Sequence, residues 1–183
     1  AWYTGDKMDV FLFSAVEYGD EARWFRRDEG PVGANIAYRL NVLRRNGIRF
    51  NPNLGRKGKA LWGGEEGEVL RTLRALGHEA YYLPEATVIH FMSSERLDYL
   101  DACKRFYWMG RSHGLRSFFG RHCTTLDYWR TAVRFSLTLS RHLKPAQGCD
   151  NKKKKQGLWR CYWIGMAHQT WLCLMGRCLA LDR

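Results

Sequence analysis

Trp62-Gly63-Gly64-Glu65-Glu66-Gly67-Glu68 sets three carboxylates at the mouth of a helix directly after a glycine pair. Glycine lets the backbone turn tightly and approach a ligand, and the positive end of the helix dipole favours acids in a first turn. The continuation Val69-Leu70-Arg71-Thr72-Leu73-Arg74-Ala75-Leu76-Gly77 repeats apolar residues at helical spacing and ends on a glycine suited to a C-cap. The stretch predicts a short amphipathic helix, Glu65 to Leu76, with its acids exposed at the N-terminal end. Dipole compensation on a solvated helix accounts for three acids taken alone; the segments on either side give them a second meaning.

On the N-terminal side, Arg56-Lys57-Gly58-Lys59 is a basic loop, Phe50-Asn51-Pro52-Asn53-Leu54-Gly55 is turn chemistry throughout, and Leu40 to Asn46 is a short helix stopped by Gly47. Before them, Gly30 to Arg39 reads either as a buried strand whose small residues admit a close neighbour or as a plain tight turn before a strand. On the C-terminal side, Glu79 to Leu83 reads as a strand ended by Pro84, and Ala86 to His90 as a second strand ending in histidine. A neutral imidazole at the end of a strand can serve as a metal ligand, although a lone histidine is more often structural. Ser93-Ser94-Glu95-Arg96 predicts a helix start, and Leu97, Leu100, Lys104, Tyr107, Trp108 and Arg111 share a face up to Ser112. Arg111 is thereby available either for packing or for an anionic ligand.

The chain has 183 residues, 45% hydrophobic and 14% aromatic, which suffices for one cored domain and excludes a disordered chain. It begins with Ala1 and shows no cleavable signal pattern near that end. The net charge of +12 is uneven: residues 1–102 carry 14 Lys and Arg against 15 Asp and Glu, and residues 103–183 carry 16 against 3. That asymmetry gives the tail an anionic partner, either nucleic acid or an acidic membrane surface. All six cysteines also lie in the tail, without Cys-x-x-Cys pairs, which fits free thiols in a reducing compartment better than zinc or a disulfide framework. Tyr128 to Leu143 predicts a basic amphipathic helix and Pro145 to Lys155 a polar linker. Leu158 to Leu181 predicts an in-plane interfacial helix carrying Trp159, Trp163 and Trp171, or a hairpin packed on the main domain.

Gly33-Ala34-Asn35-Ile36-Ala37-Tyr38-Arg39, Phe50 to Gly55, Gly63-Gly64-Glu65-Glu66, Leu73 to His78 and Tyr82 to His90, in that order, resemble the second half of a family 2 glycosyltransferase of GT-A fold. The similarity spans roughly residues 18–113, and the ordered set rather than any one piece carries it. The resemblance implies an α/β fold with the mixed sheet of that half in residues 1–116, followed by a basic amphipathic helical tail in residues 117–183. It implies inverting transfer of a sugar from a nucleotide-diphosphate donor to an acceptor hydroxyl, of a glycan or lipid-linked acceptor, in glycan or cell-envelope biosynthesis. Glu66 stands where the family's Gly-Gly-Glu-Asp motif has its general-base aspartate, with Glu65 beside it to orient the base or the acceptor. Gly33, Ala34 and Asn35 would line the acceptor side with Trp62, Gly63, Gly64 and Arg111. Val88 and His90 match the family's Val-x-His, so His90 would complete the coordination of Mg²⁺ or Mn²⁺ on the donor diphosphate.

The nucleotide-binding half of that family, with its Asp-x-Asp motif, has no counterpart here, since Asp6 and Asp9 have the wrong spacing. The expectation is a fragment that binds sugar nucleotide weakly and associates with itself, located in the cytoplasm as a peripheral protein on the inner membrane face. Two other classes compete: a basic nucleic-acid-binding protein and a non-catalytic scaffold derived from a transferase. Against the first, the basic residues form no recognisable reader motif.

Overall fold

A computed structural model describes residues 12–14, 16–117, 124–142 and 150–176, with the side chains of a few residues inside the last two helices left out. The elements in chain order are β1 (Arg23–Trp24), α1 (Leu40–Arg45), α2 (Glu65–Ala75), β2 (Tyr81–Tyr82), a 3₁₀ turn (Ser94–Leu97), α3 (Tyr99–Arg116), α4 (Thr125–His142) and α5 (Asp150–Leu174). The chain divides into two compact units, one of residues 53–64 with 94–183 and the other of residues 4–52 with 65–93.

This architecture corrects the expected α/β fold with a mixed GT-A sheet: the structure is 53% helix and 6% strand. Among the described residues the one sheet is an antiparallel pair, β1 with β2, in the register Arg23 to Tyr82 and Trp24 to Tyr81. The segment Gly30 to Arg39 forms a turn closed by an isolated Val32–Asn35 bridge instead of a strand. Ala86 to His90 is likewise outside any ladder, and Ile89 is 98% and Phe91 85% exposed beside it. Strand propensity reports fit to a pleated, half-buried surface, and without neighbouring strands to share hydrogen bonds these apolar residues stay extended and wet.

The unit of residues 4–52 and 65–93 is held by one arginine and one aromatic cluster. Arg74, in the last turn of α2, donates to the carbonyls of Arg26, Arg27 and Glu29. Tyr18, Phe25 and Tyr82 meet edge to face at 5.3–5.8 Å, and the Tyr18 hydroxyl donates to the Gly30 carbonyl. Arg23 pairs with Glu29 at 2.7 Å, and this hydrogen bond, helped by the Arg26 amide, draws the Glu29 carboxyl down to about 2.

The other unit is helical. α3 starts at Asp98, whose carboxylate accepts from the amides of Leu100 and Asp101, rather than at the serines upstream. Its buried side is Ala102, Phe106, Gly110, Arg111, Gly114 and Leu115, whereas Leu100 is 74% exposed, so the buried face is rotated from the one the sequence suggested. α5 packs against both α3 and α4. A helix gripped on two sides must be apolar around most of its circumference, and this explains why residues 158–174 lacked a clean stripe. The expected linker is partly corrected too: residues 150–155, four of them lysines, are the first turns of α5, and residues 143–149 lie outside the described ones. No helix among the described residues is long and apolar enough to cross a membrane.

α3 and α5 run parallel, as shown by contacts that advance together: Tyr99 with Lys154, Arg111 with Gln169 and Gly114 with Thr170. Their backbones touch. A Cβ on Gly110 would overlap the Tyr162 carbonyl, and one on Gly165 would overlap the Tyr107 carbonyl. Beside these glycines, the Cys103 and Cys161 thiols hydrogen-bond across the interface, which lowers Cys103 to about 7 and raises Cys161. Cys103, Cys161 and Cys173 are free thiols; Cys123, Cys149 and Cys178 lie outside the described residues. His113 lies 2.7 Å from the Tyr162 hydroxyl. Burial, with a smaller push from Arg116, lowers the His113 ring to about 4.

Two outcomes follow from this interface. Gly165→Ala gains about 1 kcal/mol of helix propensity in isolation, yet here it forces two backbones apart, so urea unfolding should show a net loss of roughly 1–3 kcal/mol. A net gain would mean the helices are not in backbone contact. For His113, the unfolded ring takes up a proton near pH 6.5 that the folded ring refuses until about pH 4. Its contribution to stability is therefore complete above about pH 7 and falls with pH across that window, at no more than about 1.4 kcal/mol per unit. His113→Gln should flatten the difference in unfolding free energy between pH 7 and pH 5.

Candidate functional site

The glycine–acid stretch is divided between the two units: Trp62, Gly63 and Gly64 belong to the helical unit, and Glu65 onward to the other.

In the helical unit the stretch is strapped to α3 residue by residue. Trp62, 2% exposed, meets Trp108 at 5.2 Å and 72°, and the pair makes an aromatic corner in a small core of Leu54, Ala60, Leu115 and Cys173. The Arg111 guanidinium sits in this corner, 4.7 Å from the Trp62 ring and 4.5 Å from the Trp108 ring. It also donates twice to Gln169 Oε1 on α5, at 3.0 and 2.8 Å. Ser112 Oγ accepts from the Gly63 amide at 3.1 Å, and Arg116 donates to the Gly64 carbonyl at 3.3 Å. Gly64 has φ of +93°, a conformation that favours glycine, and a Cβ there would also displace the tip of Arg116.

The sequence left Arg111 available for packing or for an anionic ligand. Its position is 4% exposed, packed against two indoles and an amide. A weakly hydrated planar cation suits such a place better than lysine would, because the guanidinium can stack and donate in fixed directions at the same time. Gln169, fully buried on α5, is the partner that sequence reading passed over. The polar trio His168, Gln169 and Thr170 inside the apolar run from Trp163 to Cys173 was the available signal.

In the other unit the three acids do open a helix, Glu65, Glu66 and Glu68 in the first turn of α2. The Gly33 loop lies directly on Glu66: a Cβ on Gly33 would come 2.6 Å from Glu66 Oε1. Asn35 anchors the same loop on the far side, its amide donating to the Ala86 carbonyl. Gly33, Ala34 and Asn35 are exposed. Thus the structure joins three of the separate sequence motifs, the small-residue loop, the acids and the segment before His90, within one unit.

Tyr38 belongs to this group and was not singled out from the sequence. Burial, then the charges of Glu66 and Glu65, push its phenol up to about 12. It is a neutral hydroxyl at any physiological pH. Among the described residues neither its oxygen nor Glu66 Oε2 has a hydrogen-bond partner, though both atoms are buried. An anionic acceptor and a neutral donor on one side of a small-residue loop can together hold and deprotonate a hydroxyl.

His90 is exposed in an extended segment of the same unit. No three His, Cys, Asp or Glu gather into a cation site among the described residues. One imidazole supplies one of the several donors a divalent cation takes.

The Arg111 corner carries a prediction. Arg111→Lys removes the stacking plane and one of two parallel hydrogen bonds, and urea unfolding should register a loss of about 1–3 kcal/mol. A residue kept only for a ligand would leave unfolding unchanged. Compared with models of protein families, with curated proteins and with solved structures, the chain matches none.

Proposed function

We propose that this chain supplies the acceptor-side, proton-abstracting part of an inverting glycosyltransferase that takes a sugar from a nucleotide-diphosphate donor. The observation that carries the reading is the apposition of the Gly33 loop with the Glu66 carboxylate, because it unites two motifs whose sequence order suggested the family. In this reading a glycan or lipid-linked acceptor lies over the exposed Gly33 and Ala34, beside the Glu66 carboxylate that fills the space a Cβ on Gly33 would take.

The chemistry asked of the residues is limited. Glu66 takes the proton of the acceptor hydroxyl as the oxygen forms its bond to the anomeric carbon, and the bond from that carbon to the diphosphate breaks. The diphosphate leaves with the bonding electron pair, and configuration inverts because attack and departure occur on opposite faces. Tyr38, held protonated, donates a hydrogen bond and so orients the acceptor or the carboxylate. Glu65 lies next in the chain and adds to the negative potential that keeps Tyr38 neutral. The glycine fastening of Trp62 to Gly64 fixes the chain immediately ahead of the acids.

The test is turnover. With a nucleotide-sugar-binding half supplied in trans and a panel of nucleotide sugars, release of nucleoside diphosphate is measured for the parent and for Glu66→Gln, which keeps size and loses basicity. A loss of at least roughly 100-fold in kcat, with the far-ultraviolet spectrum unchanged, is expected of a general base. Turnover insensitive to this change would refute the base assignment. Absence of turnover in the parent with every donor would favour the scaffold alternative.

A further inference from the structure

The helical unit leaves one face of α4 unaccounted for. Ala132 is fully buried, Phe135 packs against Trp163 of α5, and Ser136 Oγ accepts from the Trp171 indole, so that side holds the helix to its neighbour. At helical spacing on the adjoining side stand Leu126, Trp129, the half-buried Val133 and Leu137. Leu126 and Trp129 are 52% exposed and Leu137 59%. Arg130 and Arg134, both exposed, run along one edge of this stripe. The only acid of α4, Asp127, is turned back to accept from the Thr124 amide and hydroxyl at the helix start.

We infer that this face of α4 docks in the plane of an acidic phospholipid bilayer, with the apolar stripe in the acyl boundary and Arg130 and Arg134 on the headgroup phosphates. Two features select the occupant. The charge is complementary: the segment from residue 103 onward carries 16 Lys and Arg against 3 Asp and Glu. The arginines also flank a row of large apolar side chains, which suits an interface with an oily interior and an anionic skin; nucleic acid offers no such interior. The tryptophans of α5 each have a neighbour in the unit, Trp159 with Phe106, Trp163 with Phe135 and Trp171 with Ser136, though Trp159 and Trp171 stay partly exposed. The inference stands on the helices alone and is independent of the transferase reading.

Flotation of the full chain with vesicles of phosphatidylcholine, alone or mixed with phosphatidylglycerol, tests it. The chain should float with the mixed vesicles, and less as salt rises. Trp129→Ser with Leu137→Ser should weaken binding on the order of tenfold or more, from the lost apolar area. Arg130→Glu with Arg134→Glu should do the same, and Arg130→Lys with Arg134→Lys should retain binding. Circular dichroism checks each variant; if the first pair loses its helix, the two arginine pairs decide. Failure to float with acidic vesicles, or equal flotation of all variants, overturns the proposal. So does sedimentation as a dimer that the Leu137 change dissociates without any vesicle binding, since a second copy would then be the occupant. Retention on double-stranded DNA in preference to vesicles, unaffected by the apolar changes, would overturn it in favour of nucleic acid.

Discussion

Close backbone contact between α3 and α5 is the constraint on which the helical unit depends. Gly110 and Gly165 let the two helices approach until carbonyls of one fill the space where side chains of the other would be. Tight approach multiplies weak dispersion contacts along the seam, and it fixes the register in which Arg111 meets Gln169 and Cys103 meets Cys161. It also positions α5 so that its other side is free to receive α4. The same residues in a looser pair would leave the Arg111 charge in an apolar corner without the amide oxygen that receives it.

That corner is where fold and candidate function touch most closely. Burying a guanidinium is costly unless its donors are directed and its faces are covered. Two indole rings and Gln169 meet those needs. Through Trp62 and Ser112 the same helix fastens the glycine pair that precedes the acids. Within the other unit, Glu66 is set against the Gly33 loop by the start of α2, and the Asn35 amide closes the loop onto the Ala86 carbonyl. Each half of the motif therefore has its own support, and the residues of most chemical interest are placed by helices and turns rather than by a sheet.

Legibility in the sequence followed the range of the interactions. The α2 helix, its acidic first turn and its glycine stop were read correctly, because capping and the dipole act over a few residues. The short α1 helix, ended before Gly47, was legible for the same reason. The mixed sheet was inferred from motif order and strand propensity, and it failed where strands must find partners: Val88 and Ile89 have the right chemistry and no ladder. The α3 face was misread because spacing gives a helix its period but not its phase. Spacing left Arg111 open to packing or to a ligand, and the glycines around it bring α5 close enough to cover it.

The sequence by itself determined the local helices, the acids at the head of α2, the glycines at positions of positive φ such as Gly64 and Gly77, and the basic excess of the tail. Those features depend on neighbours along the chain or on simple counting. Tertiary structure alone decided that Arg111 is enclosed, that Tyr38 is partly buried under the influence of the Glu66 charge, that Trp163 packs against Phe135, and that Leu126, Trp129 and Leu137 of α4 are left exposed. Each of these turns on which surfaces are covered by residues distant in sequence, and burial is what converts an arginine into a strut, a tyrosine into a fixed hydroxyl and a row of leucines into a core or an exposed face.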